Sequence, residues 1–149
     1  MSVIRQDDFI DSVADALQFI SYYHPLDFVK AVNEAYEREQ NPAARDAMAQ
    51  ILINSRMCAE GHRPICQDTG IVTVFLKIGM DVQWDAELSV SDMVNEGVRR
   101  AYTHPDNVLR ASILEDPAGA RRNTKDNTPA VIHMEVVKGD TVDVQLAAK

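Results

Sequence analysis

A disulfide framework is the first thing this 149-residue sequence lacks. Its two cysteines, Cys58 and Cys66, are too few to staple a small secreted scaffold. Free thiols in a reducing, cytoplasmic setting are the expectation. A basic balance is missing as well. Fifteen Lys and Arg stand against 23 Asp and Glu, a formal net charge of -8. That argues against the electrostatic footprint of a nucleic-acid binder. It does not argue against an anionic substrate, because a local arginine or a metal cluster overrides the global field. No window reaches the roughly 18 apolar residues that span a bilayer, so no membrane partner is expected. The N-terminus carries no basic region followed by an apolar run, hence no signal peptide is read. No internal repeat or low-complexity stretch occurs. What is present is an ordinary globular composition, 46% hydrophobic and 26% charged, long enough for one domain with a core.

The first 60 residues read as a helical layer. Phe9, Val13, Leu17 and Ile20 recur at helical spacing, predicting an amphipathic helix over 6–22 with an acidic first turn. His24-Pro25 stops it and opens a second helix, whose apolar face is Phe28, Val32, Ala35 and Tyr36. Asn41-Pro42 is an N-cap followed by proline at the first helical position. The third helix runs to Gly61, which the pattern makes its C′ glycine.

The remainder reads as strand, helix and hairpin. Residues 71–78 are almost continuously apolar, the pattern of a strand buried on both faces. Ser89-Val90-Ser91-Asp92 starts a helix that His104-Pro105 stops. Residues 105–129 form a long, polar, turn-rich loop of the kind that carries function. Val131–Val137 and Thr141–Leu146 predict a hairpin around Lys138-Gly139-Asp140. The last strand stops at Ala147-Ala148-Lys149 with no turn, so a boundary inside a larger fold is expected. The fold class is α/β (α+β): a three-helix layer over 6–61, then a mixed sheet with a crossing helix over 62–149, together a truncated part of a larger domain.

Between the two halves lies Arg63-Pro64-Ile65-Cys66-Gln67-Asp68-Thr69-Gly70. It places a thiol, an amide, a carboxylate and a hydroxyl on consecutive residues of a helix-to-strand loop. Cys66 is either a small hydrophobe or a metal ligand. Its spacing from Cys58 fits no zinc module, yet its neighbours are poor core residues and Arg63 favours the thiolate. Asp68 is either a turn residue or cap, or a general acid or base. Arg110, Arg121 and Arg122 are candidates for binding a carboxylate through the guanidinium fork. A solvated charge pair also accounts for Arg121 and Arg122. His62, His104 and His133 are candidate ligands; a helix end also explains His104, and strand alternation explains His133.

Residues 54–61 (Asn-Ser-Arg-Met-Cys-Ala-Glu-Gly) with the Arg63–Gly70 stretch closely resemble class I fumarate hydratases, the iron–sulfur fumarases related to L-tartrate dehydratase. The similarity continues through Asn107-Val108-Leu109-Arg110 and Asn123-Thr124-Lys125-Asp126-Asn127-Thr128-Pro129-Ala130. Val108 departs from the commoner Asn-Leu-Arg. The resemblance implies a hydro-lyase that reversibly converts fumarate to L-malate. It implies a [4Fe–4S] cluster held by three cysteines, with one iron open to act as Lewis acid. By motif, Cys66 matches one cluster ligand, Gln67 and Asp68 match substrate-binding positions with Asp68 in proton transfer, and Arg110 matches a substrate-carboxylate arginine. The other ligands and a C-terminal part are implied to lie beyond Lys149, and family members are usually homodimers. The chain thus matches the first part, 1–149, of an N-terminal, α-type, cluster-binding domain, and is expected to be inactive by itself. The alternatives are a fragment of an L-tartrate dehydratase α subunit, or a non-catalytic folded piece.

Overall fold

A computed structural model of the chain describes residues 2–66, 70–106 and 109–149. The element order is β1 (Val3–Arg5), α1 (Gln6–Tyr22), α2 (Leu26–Arg38), α3 (Pro42–Gly61), β2 (Val72–Gly79), β3 (Gln83–Asp85), α4 (Val90–Thr103), β4 (Leu114–Glu115), β5 (Arg122–Asn123), β6 (Val131–Val137) and β7 (Val142–Ala148). This is an α/β fold, as the sequence pattern predicts. The chain forms two compact units: Met1–Gln18 with Gln67–Lys149, and Phe19–Cys66. Helix α1 runs from the former, through Gln18, into the latter, from Phe19 on.

In the larger unit the core is built from one stripe of α1 (Phe9, Ile10, Val13, Leu17), one face of α4 (Met93, Val94, Val98, Ala101) and alternate residues of β2 (Val72, Val74, Leu76). These side chains recur with the helical and strand periods, so burial of that stripe selects each element. Each large one contributes on the order of 1.5–3 kcal/mol by leaving water. Ser89 caps α4, its Oγ accepting from Asp92 N at 3.1 Å. Gln6 joins the start of α1 to the turn before α4, its Oε1 accepting from Glu87 N and Leu88 N at 3.1 and 3.0 Å.

Two expectations need correction here. Strands β6 and β7 do not form a hairpin. The sheet order is β6-β2-β7, with β6 parallel and β7 antiparallel to β2. The Lys138-Gly139-Asp140 turn therefore bridges the end of β2: Asp81 N donates to Gly139 O and Gly79 N to Thr141 O, both at 2.9 Å. In the middle place β2 has both edges of its ladder paired, and it is the one strand of the three with fully buried side chains. Nor is β2 buried on both faces. Val72, Val74 and Leu76 are fully buried, but Phe75 on the other face is 48% exposed and stacks on His133 across the ladder at 5.0 Å. That contact accounts for His133 as a strand residue.

In the smaller unit α2 lies against α3. Asn41 caps α3 as its sequence predicts, Oδ1 accepting from Ala43 N at 2.9 Å and Ala44 N at 3.3 Å. None of the residues of α2 is buried, and Leu26 and Phe28 on it are exposed. The left-handed residue that ends α3 is His62 (φ 46°) rather than Gly61. Its ring stacks flat on Tyr22 at 5.6 Å, and its Nε2 is 3.1 Å from the Tyr23 hydroxyl. Those side-chain contacts hold a backbone conformation that a glycine adopts without help.

Candidate active site

The Arg63–Gly70 stretch joins the two units. On the side of the smaller unit, Ile65 N donates to Ser21 O at 2.9 Å, tying the strand of chain after α3 to the end of α1. Cys58, one turn before the helix end, is 5% exposed. Its Sγ donates to Asn54 Oδ1 at 3.7 Å and to Pro64 O at 3.6 Å, the weak bonds of a structural thiol. A groove of about 530 Å³ beside it is lined by Asn54, Met57, Cys58, Glu60, Arg63 and Pro64. Cys66, by contrast, is an exposed free cysteine. The candidates Gln67 and Asp68, with Thr69, lie outside the described residues.

On the side of the larger unit the stretch emerges at Gly70, whose φ is +71°. A Cβ there would stand 2.8 Å from both Asn127 Nδ2 and the Tyr102 hydroxyl. Glycine is required twice over, by conformation and by space. The reason is that two side chains converge on its carbonyl: Asn127 Nδ2 donates to it, and so does Tyr102 Oη at 3.3 Å. Burial pushes the Tyr102 phenol up from its ordinary value, against the opposing pull of its hydrogen bond with Asn127. Tyr102 is thus a neutral donor at physiological pH.

Asn127 is completely buried. Its Oδ1 accepts from Ser112 N at 2.9 Å and Ile113 N at 3.1 Å. Its backbone is left-handed, φ 62°, a region asparagine tolerates better than most residues. The surrounding turn is fastened to α4 at two more points. Asn95 Oδ1 accepts from Ala130 N at 2.9 Å, and Arg99 Nε donates to Asp126 Oδ2 at 3.0 Å. Burial alone would raise the Asp126 carboxyl, but bonds from Thr128 N, Thr128 Oγ1 and Arg99 outweigh it and hold the group below the usual carboxylate range.

Arg110 is exposed, two residues before Ser112. Among the other candidates, Arg122 faces Glu115 across the β4–β5 ladder, with Nε 3.8 Å from Oε2, and Arg121 is a left-handed turn residue. His104 accepts from Asp106 N through Nδ1 at 3.2 Å, a helix-end contact. Cys66 belongs to the smaller unit and Arg110 to the larger. Asn127 and Tyr102 did not stand out as site residues in the sequence, because an asparagine in a turn-rich segment and a tyrosine late in a helix have ordinary explanations. The available signal for Asn127 was its place in the Asn123–Ala130 stretch.

The cysteines do not fit a self-contained [4Fe–4S] centre. Three thiolates are needed, and Cys58 is buried in a structural role, which leaves Cys66 alone. Among the described residues no group of three or more His, Cys, Asp or Glu side chains could hold a metal ion. No helix among them is long and apolar enough to cross a membrane.

Residues 10–149 match the family described as Fumarate hydratase (Fumerase). A protein of Methanocaldococcus jannaschii, provisionally named L(+)-tartrate dehydratase subunit alpha, is 32% identical over 91 residues, 61% of this chain and 32% of that protein. A Geobacillus stearothermophilus protein, provisionally named fumarate hydratase class I, is 30% identical over 130 residues, 84% of this chain and 24% of that protein. The matched stretch covers no more than about a third of either relative. With the match running through the Cys66–Gly70 loop, Arg110 and the Asn127 turn alike, the chain belongs to the fumarate hydratase family, a family of hydro-lyases.

Proposed function

We propose that this chain is the part of a class I hydro-lyase that carries the Arg63–Gly70 loop, and that the whole enzyme reversibly hydrates fumarate to L-malate. The observation that carries the reading is the family match over residues 10–149, which takes in every candidate site residue. In this reading Arg110 binds a substrate carboxylate with its guanidinium fork. Its exposure suits a group that must meet a ligand. Gln67 orients the same dicarboxylate, and Asp68 moves the proton at the carbon next to the one that gains hydroxyl. Cys66 is an accessible thiol able to give one thiolate ligand to a cluster whose remaining ligands come from outside this chain. The chain is accordingly one domain's N-terminal part, works with sequence beyond its own 149 residues, and does not turn over alone. A cytoplasmic homodimer is the setting this reading gives the whole enzyme.

L-tartrate dehydration is a second reading, favoured by the relative named as a tartrate dehydratase α subunit. Both are tested together. The full-length protein, reconstituted anaerobically with iron and sulfide, is assayed on fumarate, L-malate and L-tartrate. Turnover of fumarate that disappears in Cys66→Ala is expected. Turnover of tartrate alone favours the second reading, and turnover of none overturns both. The 149-residue chain is assayed beside it, and malate formation by that chain would contradict its dependence on the rest.

A further inference from the structure

Three strands of chain with no sequence proximity meet at one buried amide. Asn127 Oδ1 takes the backbone N–H groups of Ser112 and Ile113, and its Nδ2 gives a hydrogen to Gly70 O. Ser112 follows Arg110 by two residues, and Gly70 follows Asp68 by two. The donor and acceptor ends of a primary amide are fixed relative to each other, so a side chain that holds both segments sets their separation and tilt. The joint is well supported. Tyr102 supplies a second donor to Gly70 O at 3.3 Å, and Arg99 and Asn95 fasten the Asn127 turn to α4. Asn127 itself touches solvent nowhere.

We infer that Asn127 is a positioning residue that couples the carboxylate-binding segment at Arg110 to the proton-transfer loop ending at Gly70. This rests on the hydro-lyase reading above for what the two segments do, but not for the joint itself. Alignment of a bound dicarboxylate with an acid or base requires the two to be held within a fraction of an ångström, and misplacement by about 1 Å costs on the order of a hundredfold in rate. The two ends of the amide carry different tasks. The acceptor end bears on substrate binding through 110–113. The donor end bears on proton transfer through Gly70.

Three variants separate these tasks. Asn127→Gly removes the side chain while suiting the left-handed backbone. Asn127→Asp keeps the acceptor for Ser112 and Ile113 but replaces the donor to Gly70 with an oxygen. Tyr102→Phe removes the second donor to Gly70 O together with the hydroxyl's bond to Asn127. Amide hydrogen exchange is measured on the folded chain. Exchange about tenfold faster is expected in Asn127→Gly at Ser112 and Ile113, whose N–H groups Asn127 accepts, and at Ile71, whose N–H shares a peptide with the Gly70 carbonyl and donates to Lys149 O. In Asn127→Asp only the Gly70 side quickens, and Tyr102→Phe gives a smaller effect there. Wild-type exchange at either segment in folded Asn127→Gly overturns the joint; should that variant not fold, wild-type exchange at Ile71 in Asn127→Asp does so. In the full-length enzyme, Asn127→Asp lowers kcat about tenfold with KM within about twofold of wild type. Unchanged kcat overturns the positioning role. A wild-type protein that turns over no dicarboxylate removes the hydro-lyase reading and leaves the joint to be judged by exchange.

Discussion

A methyl group on Gly79 would stand 2.3 Å from the carbonyl oxygen of Gly139. The turn that carries the chain from one side of β2 to the other passes directly over the end of that strand, and only a bare Cα fits beneath it. Gly79→Ala is expected to destabilise the chain by roughly 1–3 kcal/mol, the usual cost of overpacking against backbone. Chemical denaturation measures it. A Gly79→Ala chain as stable as wild type would show that the turn stands off from β2.

The two thiols differ in reach. Cys66 is exposed, whereas Cys58 is buried and bonded to Asn54 and Pro64. A disulfide-exchange reagent added to the reduced, folded chain should modify one cysteine quickly. The second should react roughly a hundredfold more slowly, since it waits on local opening worth a few kcal/mol. Mass mapping identifies the fast site. Two equally fast thiols would contradict the burial of Cys58.

Asp126 gives the acid limb of stability its sign. Its carboxyl is held low in the folded chain by Thr128 and Arg99 in spite of burial. The ionised form is favoured by folding, so its contribution is present above the unfolded value of about 3.9 and is lost as pH falls through the lower folded value. Asp126→Asn should melt below wild type at pH 7, with the gap closing below about pH 4. A gap independent of pH would mean that the carboxylate charge contributes nothing.

Arg110→Lys keeps the charge and discards the fork. If Arg110 holds a substrate carboxylate, the loss of a bidentate, charge-assisted pair of about 1.5–3 kcal/mol raises KM by roughly ten- to a hundredfold. Steady-state kinetics on fumarate decides it, with Arg122→Lys, which faces Glu115, as the silent control.

Much of this was legible in the sequence because it is local. The Phe9–Leu17 stripe, the Asn41-Pro42 start and the Ser89 cap each state a helix in a few residues, and all three helices stand where those signals put them. The partner order of the sheet was not legible. Val131–Val137 and Val142–Ala148 have the alternation and short turn of a hairpin, and nothing local says that β2 comes between them. The helix end at His62 was hidden by the glycine beside it, since the ring contacts come from Tyr22, the last residue of α1, and from Tyr23 just after it. Cys66 and Arg110 were candidates by residue type and by resemblance, and the structure adds that both are exposed. Asn127 works by holding backbone groups from two distant segments, and one-dimensional pattern does not display that.

The place of β2 between two later strands also sets a timetable. It is made early, and both of its hydrogen-bonding edges belong to chain not yet synthesised. At roughly 5–20 residues per second, the about fifty residues from Gly79 to Val131 take on the order of 3–10 s to appear. For that interval Val72, Val74 and Leu76 sit in a nascent chain with neither ladder partner. The helices before them close their hydrogen bonds locally and can begin to form meanwhile. The growing polypeptide is therefore most open to association with other chains in the window after its central strand has emerged and before its first flanking strand arrives.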